Sequence, residues 1–108
     1  MTSKLMPGAV VRVSRGNFDP ARYAEVERMS RETAAYLIPA IRRLPGLVSY
    51  FAALSPSGSL VHVSIWDSEA HAQQMSSLKE MIVDARHAGA AVGVEFTPIV
   101  NHAVSWEI

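Results

Sequence analysis

Between residues 47 and 66 the chain reads LVSYFAAL, then SPSGS, then LVHVSIW. Two strand-length apolar runs joined by a short Pro/Gly/Ser segment predict an antiparallel β-hairpin. Alternation along the second run puts Val61, Val63 and Ile65 on one face and His62, Ser64 and Trp66 on the other. Neither face carries the charged side chains that would keep it in water, so both need cover. Any fold proposed for the chain has to supply two layers against this hairpin.

The flanking segments supply one of them. Upstream, AVVRVSR (9–15) reads as a strand stopped by Gly16 and Asn17. Asp19 as N-cap and Pro20 at the first helical position then open a helix. Val26, Met29, Thr33, Leu37, Ile41 and Leu44 recur every three or four residues and give it one buried stripe. Pro39 inside that pattern predicts a kink or an end to the regular helix, and Pro45-Gly46 closes the segment. Downstream, Ser68 caps a helix from Glu69. Ser77 and Glu80, at capping-box spacing, signal a second start, so this helix is expected to break near 75–77. Gly89 and Gly93 finish it, and PIVNHAVSWEI is a last strand beginning just after Pro98. The order β-α-β-β-α-β predicts an α+β, ferredoxin-like fold: a four-stranded antiparallel sheet with both helices on one face. The bare sheet face then calls for a second subunit.

Composition points the same way. At 108 residues the chain makes one domain, 1–108, with 1–8 expected as a flexible N-terminal extension. With 49% hydrophobic and 19% charged residues, the apolar surplus favours a homodimer. Ten basic and ten acidic residues cancel, which removes the footprint of a nucleic-acid binder. The absence of cysteine excludes disulfides, thiolate nucleophiles and Cys-based zinc sites. No signal-like h-region and no membrane-length apolar run are found, so a cytoplasmic protein without membrane contact is expected. Four histidines without HxH, HxxxH or a carboxylate cluster form no recognisable metal set. Phosphate-binding glycine loops and a GxSxG elbow are also missing.

The LPGLVSY turn into the second strand, the VSIWDSEAHAQQM corner and the closing strand after a Pro-Ile pair resemble the antibiotic biosynthesis monooxygenase (ABM) superfamily, over residues 9 to 108. The resemblance implies a dimeric α/β-barrel, joined sheet to sheet, with a cavity between sheet and helices in each subunit. Some relatives oxidise phenolic or polyketide substrates with molecular oxygen and no cofactor, whereas others degrade haem or have no established activity. The fold carries over more directly than the chemistry.

The resemblance also selects candidate residues. Trp66 matches a tryptophan that lines the cavity; its plain alternative is an aromatic plug between sheet and helix. His62, two positions upstream on the same face, stands where relatives use an asparagine or another polar group. His71 falls on one helix face with Met75 and Leu78, and either histidine could act as base toward a phenol. Arg86 could anchor an anionic or carbonyl group, although a basic residue late in a helix often serves only its dipole. Tyr36 and Tyr50 are possible phenol donors. Trp106 and His102, read on one face of the last strand, are candidates for the dimer contact or a subunit-spanning cavity. The sequence thus predicts catalytic His71 and His62, substrate contacts from Trp66, Arg86, Met75 and Tyr36, no metal and no cofactor. The expected ligand is a small hydrophobic or aromatic molecule. A cofactor-independent monooxygenase acting on an aromatic, phenolic or quinol-type substrate is the leading expectation. A non-catalytic dimeric ligand-binding or stress-associated module and a haem-degrading relative are the alternatives; the relatives' haem-site asparagine is missing from AVVRVSR.

Overall fold

The computed structural model describes Leu5 and residues 7–108, so the extension expected over 1–8 falls largely outside the described residues. Strand β1 (Val10–Asn17) leads through a 3-10 turn (Pro20–Arg22) into α1 (Tyr23–Arg42). Asp19 caps the turn, its carboxylate accepting from the Ala21 amide at 2.9 Å. Strands β2 (Leu47–Ser55) and β3 (Ser59–Trp66) form the hairpin. A composite helical segment follows: α2 (Glu69–Ala72), a 3-10 stretch (Gln73–Ser77), a π-helical stretch (Glu80–Ala85) and α3 (Arg86–Ala91). Two short strands, β4 (Glu95–Phe96) and β5 (Val100–Ala103), end the fold. The sheet is antiparallel, with β3 between β2 and β1 and both β4 and β5 paired along the far side of β1. This is the expected α+β, ferredoxin-like arrangement, with five strands because the last one is split.

The split has a local cause. Proline brings no N–H to a ladder, and Pro98 separates β4 from β5. Thr97 still donates to the Arg15 carbonyl (2.9 Å), and pairing resumes at Val100, opposite Val13. Trp106 lies beyond β5 and is exposed, so it shares no strand face with His102. Of the two outcomes expected at Pro39, an end to the helix does not occur. Pro39 sits on the exposed side of α1, where water can serve the carbonyl it leaves unpaired, and the helix runs on to Arg42. The break in the second helix occurs where expected, but not through a capping box: Lys79 holds the N-cap position, with no side-chain bond. Ser68 does cap α2, accepting from the His71 amide at 3.2 Å.

Register explains how the helix-facing side of the sheet is organised. Leu47, Trp66, Val10 and Ala103 form one row across β2, β3, β1 and β5, and Leu54, Leu60, Gly16 and Phe96 form another at the opposite end. Each apolar row carries a core: Val10, Trp66, Leu37, Ile41 and Met75 at one end, Leu60, Phe18, Val26 and Met29 at the other. The rows between are polar. Tyr50, Ser64, Arg12 and Asn101 cross the sheet side by side, with His62 and Ser14 paired in the next row. Trp66 is the fully buried keystone of the first core, and its Nε1 donates to Ser64 Oγ at 2.8 Å. Trp66→Ala should cost about 3–5 kcal/mol of stability, measured as a lower urea midpoint.

Candidate functional site

A cavity opens between the two cores, floored by the polar rows and roofed by α1 and the π-helical stretch. The space open to the centre of a water molecule is about 40 Å³, enough for a few waters. Met29, Met75 and Met81 border it; these unbranched side chains can shift to admit a larger guest. The π-helical stretch contributes Met81, Ile82 and Ala85 to the wall and delivers Arg86 at its end. π-helical turns inside helices are frequent at functional sites.

His62 and Tyr50 form the polar centre of the floor. Tyr50 Oη lies 2.6 Å from His62 Nδ1, with the rings edge to face at 86°. Burial pushes the tyrosine hydroxyl far above its ordinary pKa and lowers the imidazole to about 4. At neutral pH the hydroxyl is therefore the donor and Nδ1 the acceptor, which leaves the ring proton on Nε2. Among the described residues that nitrogen forms no hydrogen bond, and no unpartnered polar side-chain atom is fully buried. Nε2–H is therefore not sealed off from open space, and His62 borders the cavity.

Arg12 is the residue that sequence reasoning missed. It is 7% exposed, donating to Asn101 Oδ1 (3.3 Å) and Ser76 Oγ (3.2 Å). Burial lowers its pKa, with the nearby Arg86 pushing the same way. The available signal was parity: on the face that begins with Val10, β1 continues Arg12, Ser14, Gly16.

The sequence-selected residues divide. His62, Met75 and Arg86 border the cavity. Trp66 does not, since the core encloses it completely, and Tyr36 packs on the edge of the same core. His71 stands away from the cavity wall, its Nδ1 2.5 Å from Asp67 Oδ1. Gln74 ties this corner to the Pro45 carbonyl (2.8 Å), and Asp67 donates its amide to the Gly46 carbonyl (2.9 Å). Gly46, at φ +85°, lies directly against the His71–Asp67 pair, leaving no room for a Cβ. His71 thus serves as a clamp at the strand-to-helix corner. Among the described residues no cluster of side chains suited to a metal ion is found.

No protein-family model and no curated protein matches the sequence. Solved structures do match. SnoaB, a cofactor-independent oxygenase from Streptomyces nogalater, superposes with a TM-score of 0.65 at 17% identity, covering 94% of this chain and 97% of that one. The chain has the ABM-type fold. A monooxygenase from the ActVA-Orf6 gene of Streptomyces coelicolor, in complex with nanaomycin D, gives 0.69 at 20% identity over 94% and 92%. A protein of unknown function from Nitrosomonas europaea gives 0.66 at 17% identity over 94% of each chain. The same ABM-type backbone therefore includes both named oxygenases and a protein with no assigned activity.

The site has a pH signature. Unfolded His62 titrates near 6.5 and folded His62 near 4. Its contribution is complete above pH 6.5 and is lost as pH falls toward 4, because only the unfolded chain takes up the proton in that window. The difference is worth about 3 kcal/mol. Urea unfolding of His62→Gln from pH 4 to 7 should show a correspondingly flatter dependence than wild type.

Proposed function

We propose that the protein is a cofactor-independent monooxygenase that oxidises a small phenolic or quinol-type substrate in the cavity over His62. The observation that carries the reading is the Tyr50–His62 pair, which holds a neutral imidazole, its proton on Nε2, on the polar floor of a cavity roofed by apolar side chains. The match to cofactor-independent oxygenases is in keeping with it.

In this reading, His62 is a donor to the substrate oxygen and not the base, because an imidazole with a pKa near 4 is too weak to ionise a phenol. Tyr50 fixes its tautomer. The site binds the fraction of substrate already ionised in solution, its proton left with the solvent, and the Nε2–H bond together with Arg86 holds that anion. The anion passes one electron to oxygen, and the two radicals join as a peroxide at the ring carbon. Collapse to a carbonyl expels hydroxide, which takes back the proton. In sum, a ring methylene (the keto form of the phenol) and dioxygen become a ring carbonyl and water, and no external reductant is needed. His62→Ala should lower kcat for oxygen uptake about 100-fold, whereas His71→Ala stays within a few-fold. The pH profile of kcat/KM should follow the substrate's own ionisation. Unchanged uptake in His62→Ala would dispose of the mechanism.

The outer sheet face, with Val11, Val13, Phe51, Val61, Val63 and Ile65, belongs in this proposal to a homodimer joined sheet to sheet. Phe51 is 59% exposed, and an apolar face of this kind favours a second layer. Phe51→Glu combined with Val63→Glu should reduce the sedimenting mass from twice 11.8 kDa to 11.8 kDa while the far-UV spectrum is kept.

A further inference from the structure

A second, wider cleft lies outside the cavity, with Glu69, Gln73, Ser76 and Asn101 on its walls. The two spaces share four lining residues: Arg12, Arg86, Phe96 and Ile99. Two cations thus stand at the junction of an apolar chamber and a polar vestibule. Neither forms an ion pair among the described residues. Arg12 is held by the neutral Asn101 and Ser76, and Arg86 lies over the Phe96 ring, 5.8 Å from its centroid. Glu69 is the nearby acid and favours the Arg12 charge through space, but Asn101 (3.1 Å) and Gln73 (2.9 Å) donate to its carboxylate, and it bridges to neither arginine.

Guanidinium groups do not give up their charge in proteins. Two of them facing the same space repel each other, and a buried one without a carboxylate is costly. One ionised phenol oxygen supplies one negative charge against the two. We propose that the Arg12–Arg86 pair is an anion site for a carboxylate on the ligand, so that the protein takes hydroxyaryl carboxylic acids: ring in the apolar cavity, hydroxyl toward His62, carboxylate at the junction. This rests on the ligand reading above and adds a second negative charge in direct reach of the pair, which Glu69 does not bridge. Arginine's planar fork suits a carboxylate held by two parallel hydrogen bonds. Asn101 and Ser76 keep the Arg12 fork in place.

The test is calorimetric binding to the full chain of three probes with one ring system: 1-hydroxy-2-naphthoate, 1-hydroxy-2-naphthamide and 1-naphthol. The acid should bind at least ten-fold more tightly than either neutral probe, and this preference should fall to within three-fold in Arg12→Gln and in Arg86→Gln. Arg86 is half-buried, so its variant serves if Arg12→Gln does not fold. Equal affinity for acid and naphthol, a preference that both variants retain, or no binding of the acid would each overturn the site. Oxygen uptake is read separately. Tight, arginine-dependent binding of the acid without uptake on any hydroxyaryl acid sustains the anion site and removes the oxygenase. Uptake indifferent to the carboxylate does the reverse.

Discussion

A buried arginine in the middle of a sheet is the constraint around which this molecule is arranged. Arg12 lies between Ser64 and Asn101 across the strands, and a charge in that position cannot be packed over with leucine. The two apolar cores accordingly form on either side of it instead of merging. What separates them is a strip of Tyr50, Ser64, Arg12 and Asn101 with His62 and Ser14 alongside, tied by the Arg12–Asn101 and Tyr50–His62 bonds and joined to Trp66 through Ser64 and to Ser76 through Arg12. The cavity is the space that the two cores leave above that strip. Site and fold are thus one arrangement: removing the polarity of the strip would let the cores join and close the cavity.

The same arrangement sets the character of the groups in it. Enclosure keeps Tyr50 protonated and His62 neutral, so the pair is polar without being charged. Within the cavity lining, permanent charge is confined to the arginine junction facing the vestibule. The separation of a neutral donor from fixed cations lets one chamber meet both an apolar ring and its ionic substituent, each in surroundings that suit it.

Much of the architecture was legible in the sequence because it rests on local signals. Asp19-Pro20, Ser68 and the SPSGS loop act where they stand, and the stripe from Val26 to Ile41 faces the core as its spacing required. The parity of LVHVSIW put His62 and Ser64 with Trp66. Other features depended on information that spacing lacks. His71 and Trp66 were drawn to the cavity by proximity in sequence, but Asp67 and Gly46 claim the first and the core encloses the second. The parity of β1 placed Arg12 on the face of Val10, but its partners across the strands, Ser64 and Asn101, are set by the register, which spacing does not give. The π-helical stretch has no sequence signature of its own; EMIVDA reads as an ordinary helical segment.

That stretch carries a consequence for how such a site can change. A π-helical turn holds one residue more than the α-helical turn it replaces. Deleting a single residue between 80 and 85 would return the segment to α-helix without breaking it. Each residue of an α-helix turns through about 100°, so the loss would swing the preceding side chains around the axis relative to Arg86. Met81 and Ile82 would leave the cavity roof and others would take their places. An insertion or deletion, the class of change that most helices tolerate worst, is here the smallest step between one cavity shape and another.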